Sequence, residues 1–190
     1  MNMPPAAARS NRRPLLIMLV LFGAPLAGAF WLYYGSSWRP SLRTNHGELI
    51  EPVVALPGQR AATLLRGKWT LLVLGRGDAG CDAGCRTTLV YARQTWLSLG
   101  QLTPRVQRVL LAGAGCCDAP YLQREQAGLI SIDVAGSEIQ ALVRAIPEPR
   151  EQAIFVVDPL GNLMMRYDVR QDPKGLREDL KKLLELSHIG

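Results

Sequence analysis

The sequence predicts an α/β domain, built on a mixed sheet flanked by helices and preceded by one N-terminal transmembrane helix. Three observations support this prediction. Residues 15–38 contain no charged side chain, and the run is long enough to cross a bilayer. From residue 68 onward, short apolar strand patterns alternate with helical patterns. The chain then closes with a hairpin signal and an amphipathic helix.

The residues before the apolar run predict its orientation. They include Arg9, Arg12 and Arg13 and no acidic residue. Because positive charge is retained on the cytoplasmic side, residues 1–14 are expected to form a cytoplasmic tail. The C-terminal domain is therefore expected in the periplasm, attached to a bacterial inner membrane by a single-pass anchor.

A cleaved signal peptide is the alternative to this anchor, because Ala27-Gly28-Ala29 matches a cleavage site behind an apolar core. The apolar run continues through "FWLYY" beyond that site, which favours an uncleaved anchor over residues 15–38. Residues 39–60 lack a helical period and contain three prolines, so an extended tether is expected there. The folded domain is then expected over residues 61–190.

The expected elements of the domain alternate along the chain. In the first long helix, Leu89, Ala92, Trp96 and Leu99 recur at helical spacing. The four residues 158–161, "DPLG", have the chemistry of a turn between two strands. The expected strands are 68–75, 105–113, 129–134, 152–158 and 162–168, and the expected helices are 85–100, 121–128, 137–146 and 173–190.

The charge distribution excludes one class of partner. The chain carries a formal net charge of +6, but all 16 acidic residues lie after residue 38, where most of the basic ones also lie. The exported part is therefore only mildly basic, without the clustered face that nucleic acids require. No nucleic-acid partner is expected.

The stretch "GDAGCDAGCRTT" carries the strongest functional signal. Cys81 and Cys85 directly follow the first core strand. They are therefore expected at the carboxyl edge of an α/β sheet, where ligand-binding and catalytic residues usually lie. If both belong to the next helix, they lie on one face, close enough for a disulfide or for two thiolates sharing one soft metal ion. A helix N-terminus also favours the thiolate. We expect a reversible Cys81–Cys85 disulfide; a structural brace is the alternative.

The remaining candidate ligands carry weaker signals. Cys116 and Cys117 follow the second core strand, so either could act as a resolving thiol or an extra metal ligand. Burial or a loop disulfide is the favoured interpretation, since free cysteine is often a small buried hydrophobe. His46 lies in the expected tether and His188 near the C-terminus, and both are expected to be solvated.

The element order and the cysteine loop resemble the thioredoxin-like fold, and the C-x-x-x-C spacing resembles the Sco/SenC family. The segments "TNHGELIEP" and "DPLGNLMMRYD" resemble a Sco-related group of single-pass proteins associated with cytochrome c oxidase. The resemblance implies copper, as Cu(I) on Cys81 and Cys85, and an oxidase subunit or its assembly factors as partner. Sco proteins also use a histidine ligand, and the matching position here falls near Arg150. A proline follows the second Sco cysteine, where this chain has Arg86.

Three functions follow. The first is a membrane-anchored, Sco-related factor for cytochrome c oxidase and copper-centre biogenesis, acting through Cys81 and Cys85. The second is a general thiol–disulfide oxidoreductase without a metal. The third is a non-catalytic adaptor that docks on the oxidase and uses its cysteines only as a brace. The arginine in place of the histidine shifts weight from copper delivery toward thiol exchange.

Overall fold

The computed structural model describes most of the chain in two units. The described residues are 12–35, 44–58, 63–75, 82–112, 117–133, 137–147, 152–170, 172 and 174–190. The first unit ends at Arg43, and its described residues form one helix; the second unit is the domain that begins at Thr44.

The helix of the first unit is α1, Arg13–Gly35. It has 23 residues and a mean hydropathy of 2.3, so it is long and apolar enough to cross a membrane. At 1.5 Å per residue it extends about 35 Å, which exceeds the hydrocarbon thickness of a bilayer. The predicted apolar helix is confirmed over this range, while residues 36–38 of the predicted anchor lie outside the described residues. A signal sequence passes the same test, so the choice between anchor and cleaved peptide rests on the sequence.

The domain is built on a six-stranded mixed sheet with the order β1-β6-β5-β2-β3-β4. Neighbours β2, β3 and β4 run parallel, whereas β5 is antiparallel to β2 and β6 to both β5 and β1. The strands are β1 Glu48–Ala55, β2 Trp69–Gly75, β3 Val106–Ala112, β4 Leu129–Asp133, β5 Ala153–Val157 and β6 Asn162–Asp168.

Helices cover this sheet because its central strands are apolar on both faces. Along β5, Ile154 and Val156 belong to one buried cluster, and Phe155 and Val157 belong to the other. The first cluster includes Leu89 and Leu180, from two helices, and the second includes Leu142, from a third. The predicted mixed sheet flanked by helices is confirmed. The helices are α2 Ala83–Ser98, α3 Ala119–Glu125, α4 Ser137–Ala145 and α5 Gly175–Leu186, with a 3₁₀ turn over Gly100–Arg105.

The closing helix α5 is shorter than the predicted 173–190. Arg105 donates hydrogen bonds to the carbonyl oxygens of Leu184 and Ser187, both at 2.7 Å, and to those of Ile189 and Gly190. These carbonyls lie at and beyond the helix end, where the backbone lacks its own donors. The Arg105 guanidinium, from the last residue of the 3₁₀ turn before β3, therefore satisfies the carbonyl groups that a longer helix would have satisfied.

The predicted tether is wrong for its second half, because residues 48–55 form strand β1. This strand pairs antiparallel with β6, with Glu48 opposite Arg166 and Ala55 opposite Asn162, and its register shifts between Leu49 and Val54. Pro52 argued against a strand in the sequence because proline cannot donate to a ladder. An edge strand tolerates it, and β1 lies at the edge of the sheet.

A buried carboxylate fixes the start of β1 to the domain. Asp179 of α5 is only 5% exposed and accepts hydrogen bonds from the backbone amides of His46, at 2.7 Å, and Gly47, at 3.0 Å. Its same oxygen accepts the hydroxyl of Tyr167 at 2.5 Å. Residue 47 has to be glycine, since a side chain there would collide with the ring of Tyr167. The segment expected to be a tether thus belongs to the fold.

A fragment of residues 44–190 is expected to unfold at the same urea concentration as the C-terminal domain of the full chain. A fragment of residues 61–190 should be destabilised by at least about 3 kcal/mol, because it loses the β1 ladder and leaves Asp179 without its amide donors. Urea denaturation followed by circular dichroism measures both. Equal midpoints would show that β1 contributes nothing to the stability of the sheet.

Candidate functional site

The candidate site lies where β2 and β3 end. The two strands are parallel neighbours in register, with Gly75 opposite Ala112 at their carboxyl ends. The chain after β2 leads into α2 and carries Cys81 and Cys85, and the chain after β3 leads into α3 and carries Cys116 and Cys117. Because both connections leave the same edge of the sheet, the sheet brings Cys85 and Cys117 to one place.

The two connections share a local design. Each contains Cys-Asp-Ala, with Asp82 before α2 and Asp118 before α3. The Asp82 carboxylate accepts the backbone amide of Cys85 at 2.6 Å, and the Asp118 carboxylate accepts that of Tyr121 at 2.8 Å. Both aspartates are therefore helix N-caps, a role that the sequence analysis missed although the residue type and spacing signal it.

The structure brings Cys85 next to Cys117. Their Sγ atoms lie 3.8 Å apart, about the contact distance of two sulfurs. Cys117 is disulfide-bonded and buried, at 7% exposure. Cys85 is partly buried and carries a thiol. Cys117 was the less favoured candidate in the sequence, and it is the residue whose sulfur meets that of Cys85.

The expected Cys81–Cys85 pair remains a prediction. Cys81 and Cys116 lie outside the described residues, as does Arg150, the residue expected in place of a Sco histidine. Cys85 is the third residue of α2, in its first turn, as expected of a thiol whose reactivity a helix N-terminus increases.

Arg86 and Tyr121 line the site beside the sulfurs. The Arg86 guanidinium lies 4.7 Å from the ring centre of Tyr121 and 4.0 Å from the Asp118 carboxylate. These contacts join the first turn of α2 to the first turn of α3. They border a polar groove of about 560 Å³, which is also lined by Arg93 and Arg124. A cationic side chain thus follows Cys85 directly and is held beside the connection that carries Cys117.

A buried arginine, Arg108, helps to hold Tyr121 in place through hydrogen bonds. Arg108 of β3 is 1% exposed and donates to the side chain of Gln126, at 2.9 Å, and to the Ala127 carbonyl. Gln126 in turn donates to the hydroxyl of Tyr121 at 3.1 Å. Burial, followed by the charge of Arg93, lowers the pKa of Arg108 to about 10, so the side chain stays a cation at neutral pH. The position of Tyr121, and through it that of Arg86, is tied to the sheet.

Gln152 approaches the same turn of α2 from the opposite side. It lies directly before β5 with a φ of 61°, and its side-chain nitrogen would lie 2.6 Å from a Cβ placed on Gly84. A larger residue at position 84 would require the Gln152 side chain to move, so Gly84 allows the close approach of Gln152 to α2. The sequence analysis did not single out Gln152, and Arg150, the residue near the position of the Sco histidine, lies outside the described residues.

The described residues contain no group of three histidine, cysteine, aspartate or glutamate side chains that could hold a metal ion. His46 has carboxylate partners, which corrects the expectation that it is merely solvated. Its Nδ1 lies 3.2 Å from Asp172 and its Nε2 lies 3.1 Å from Glu178. The backbone amides of Gly175 and Lys174 are the main cause that lowers the pKa of Asp172, and His46 adds to it. These contacts hold the start of the domain against α5.

Replacing Asp82 with asparagine is expected to increase the reactivity of Cys85 a few-fold at neutral pH. The change keeps the N-cap, because asparagine caps as well as aspartate, but it removes a negative charge that disfavours the neighbouring thiolate. The rate of alkylation by iodoacetamide, resolved by peptide mass spectrometry, measures this. Glu185→Gln, which neutralises an exposed carboxylate near the end of α5, is the matched control. A slower reaction in Asp82→Asn would contradict the electrostatic argument.

Comparisons with known proteins identify the family and the fold of this domain. A family model described as a transmembrane-like, thioredoxin-like C-terminal domain matches residues 69–187. The copper-bound crystal structure of ScoI from Arabidopsis thaliana is similar, with a TM-score of 0.53 and 18% identity over 66% of this chain and 89% of that chain. The crystal structure of yeast Sco1 is similar with a TM-score of 0.55 and 14% identity, covering 66% of this chain and 85% of that chain. The solution structure of apo Sco1 from Thermus thermophilus has a TM-score of 0.52 and 17% identity, covering 75% of this chain and 99% of that chain.

At these identities the similarity to solved structures establishes a shared fold. A search of the curated proteins found no significant match. The family model and the solved structures confirm the predicted thioredoxin-like fold and its likeness to Sco proteins.

Proposed function

Because the chain belongs to the family of transmembrane-like, thioredoxin-like C-terminal domains, we propose that it is a membrane-anchored thiol–disulfide exchange protein that acts through Cys81 and Cys85. One observation carries this proposal. The thiol of Cys85 lies in the first turn of α2, with its sulfur 3.8 Å from the sulfur of the disulfide-bonded Cys117.

The chemistry of this arrangement favours exchange. Thiol–disulfide exchange proceeds by attack of a thiolate on a disulfide sulfur, so the reacting sulfurs have to approach closely. The N-terminus of α2 stabilises negative charge on Cys85, and the neighbouring Arg86 adds a positive one. Cys85 is also less buried than Cys117, so a substrate reaches it more easily. Cys81 enters the proposal from the sequence spacing.

The orientation of the chain completes the first part of the proposal. The N-terminal arginines are retained in the cytoplasm, α1 crosses the inner membrane, and the domain faces the periplasm. Disulfides persist in that compartment, and thiols there need a protein that reduces or exchanges them.

The substrate in this proposal is a copper-binding subunit of cytochrome c oxidase or one of its assembly factors. The oxidase context comes from the resemblance of the segments "TNHGELIEP" and "DPLGNLMMRYD" to oxidase-associated proteins. Solved Sco structures that share the fold have copper bound, which is compatible with a copper-binding substrate. Reduction of the cysteines that receive copper in such a subunit would be the corresponding reaction. Oxidase content and absorption spectrum in a strain lacking this protein test the context. A deficit that added copper does not repair is expected, and unchanged oxidase would contradict it.

The redox character of the cysteines tests the exchange function directly. Full-length protein in detergent is equilibrated with glutathione buffers, and its thiols are counted by mass spectrometry after alkylation. We expect a reversible disulfide with a midpoint above about −300 mV, since exposed exchangeable disulfides lie above the potentials of structural ones. A midpoint well below that value would make the disulfide a brace and would leave the docking adaptor as the function.

Copper binding is the second candidate function, favoured by the soft donors at the site. Two thiolates suit Cu(I), whereas Cu(II) prefers nitrogen and oxygen ligands. The described residues hold one thiol beside a sulfur already used in a disulfide, so they fit copper only after reduction. Copper is then a cargo of the reduced protein, held by Cys81 and Cys85.

We expect at most one Cu(I) per reduced monomer and no strong Cu(II)–thiolate charge-transfer band. Arg150→His should create or strengthen that band, because arginine offers no lone pair and histidine does. Titration with Cu(I) and absorption spectroscopy with Cu(II) measure the two. A strong Cu(II) band in the unchanged protein would favour the copper chaperone over the exchange protein.

A further inference from the structure

We propose that Cys117 is a third redox-active cysteine, which exchanges its disulfide with the thiol of Cys85. The inference deepens the exchange function proposed above and rests on it. In this inference, Cys117 holds a disulfide at the buried edge of the sheet and passes it to the more accessible Cys85.

The parallel register of β2 and β3 produces the contact. Gly75 and Ala112 are opposite each other at the ends of the two strands, so α2 and α3 begin side by side. Asp82 and Asp118 fix the two helix starts by capping them, and Arg86 joins them through Asp118 and Tyr121. The 3.8 Å between the sulfurs therefore results from elements that are each fixed by their own contacts.

The burial of the two cysteines differs in the direction that a relay needs. Cys117 is 7% exposed and belongs to the buried cluster between the sheet and α2, whereas Cys85 is partly exposed and packs against the edge of that cluster. An external disulfide or thiol therefore reaches Cys85 more easily than Cys117. A disulfide held at Cys117 is sheltered from solvent thiols but lies in contact with the sulfur of Cys85.

The step is an exchange within the chain. The thiolate sulfur of Cys85 attacks the sulfur of Cys117, and a new S–S bond forms between them. The bond from Cys117 to its present partner breaks, and that partner leaves with the electron pair as a thiolate. The leaving thiolate takes up the proton that Cys85 gave up. The number of disulfides is unchanged, so the step requires no external oxidant or reductant.

The consequence is that oxidation reaches a substrate in two stages. After the exchange, the disulfide joins Cys85 to Cys117, and its Cys85 sulfur is the one that a substrate thiolate attacks. The reverse sequence returns a disulfide from the substrate to the interior. Holding the two sulfurs in contact raises their effective concentration far above that of two cysteines on separate mobile segments.

Two double variants of the full-length protein test the contact. Cys81→Ser/Cys116→Ser leaves Cys85 with Cys117, and the matched Cys81→Ser/Cys117→Ser leaves Cys85 with Cys116. Each is equilibrated with glutathione buffers in detergent, quenched with acid, alkylated and digested with trypsin. Peptide 77–86 linked to peptide 109–124 reports the disulfide. We expect an effective concentration at least about tenfold higher for Cys85 with Cys117 than for Cys85 with Cys116. Equal values, or a higher value for Cys116, would overturn the proposal.

A measurement on the unchanged protein covers the case in which a variant fails to fold. Cleavage before Asp82 separates Cys81 from Cys85, and tandem mass spectrometry distinguishes Cys116 from Cys117. Partial reduction should yield a Cys85–Cys117 link among the trapped species, and its absence at every redox potential would overturn the relay.

Turnover of a peptide disulfide by the unchanged protein separates this inference from the function on which it rests. Turnover without any Cys85–Cys117 link would overturn the relay alone and leave the exchange function standing. A Cys85–Cys117 link without turnover would support the internal exchange and overturn the exchange function toward external substrates.

Discussion

The Cys85→Ser variant is expected to stay folded and to lose thiol–disulfide exchange, with a rate below about a thousandth of that of the unchanged protein. A serine hydroxyl stays protonated and cannot attack a disulfide sulfur, so the variant loses the nucleophile in the first turn of α2. The fold should persist, because Cys85 carries a thiol and the change removes no disulfide at that position. The expected loss of unfolding free energy is within about 1 kcal/mol, as for other partly exposed positions.

The control for this variant comes from the same helix. Thr87 lies two residues further along α2, and its hydroxyl donates to the Ala83 carbonyl at 2.7 Å. Thr87→Ser keeps that hydroxyl and should exchange at the unchanged rate. The double change Cys81→Ser/Cys85→Ser should likewise remain folded and inactive, since the core strands hold the domain. Exchange that survives in Cys85→Ser would assign the chemistry to another cysteine, and an unfolded double variant would remove the basis for assigning lost activity to chemistry.

The largest effect on stability is expected from Asp179→Ala, at about 3–5 kcal/mol of unfolding free energy. The change removes the acceptor of three hydrogen bonds at once, from the amides of His46 and Gly47 and the hydroxyl of Tyr167. Each buried donor left without a partner costs about 1–3 kcal/mol, partly recovered if water enters. Urea denaturation measures the loss.

Its matched control is the neighbouring carboxylate of Glu178, which is exposed and forms an ion pair with the imidazole of His46. Glu178→Ala should change stability by less than about 1 kcal/mol, as exposed ion pairs contribute little. Equal losses in the two variants would show that the effect comes from shortening α5 rather than from the buried acceptor.

The stability contributed by the hydrogen bond between Tyr167 and Asp179 is expected to depend on pH in the alkaline range. Burial, with the hydrogen bond to Asp179, raises the pKa of Tyr167 well above its usual range. An unfolded tyrosine loses its proton above about pH 10, whereas the folded one retains it, so the stability is fully present below pH 10 and is lost as the pH rises further. Tyr167→Phe removes the titrating hydroxyl, so the unfolding free energy of the variant should fall less steeply above pH 10 than that of the unchanged protein.

The central part of the fold could be predicted because its residues signal their state locally. The runs that became β2 and β5 are short, apolar and bounded by turn residues, and they are buried along most of their length. The turn at Asp158 was also readable, since its carboxylate accepts the amides of Leu160 and Asn162 and Gly161 has a φ of 91°. Such features depend on neighbours in the sequence.

Strand β1 could not be predicted because its stability comes from distant residues. Its sequence contains Pro52 and two glutamates, and most of its side chains are exposed. What makes it a strand is pairing with β6 and the fixing of its start by Asp179, more than 130 residues away. No pattern within residues 48–55 reports either partner.

The candidate site was predicted in part for the same reason. The sequence placed all four cysteines after the two core strands, and the resemblance to Sco proteins pointed to Cys81 and Cys85. The contact between Cys85 and Cys117 depends on β2 and β3 being parallel neighbours in one register, which a single sequence does not state. The repeated Cys-Asp-Ala before each helix was a local signal that the two connections are built alike.

The position of β1 at the edge of the sheet also affects how copies of this protein behave beside one another. Proteins anchored in one membrane meet at high local density, and an open sheet edge invites a second chain to add to it. Pro52 removes one donor from that edge, and the shifted register interrupts the ladder. The opposite edge, β4, has only five residues. Both borders of the sheet are thus poor templates for aggregation, and we expect the anchored domains to remain separate while their cysteine edge stays accessible.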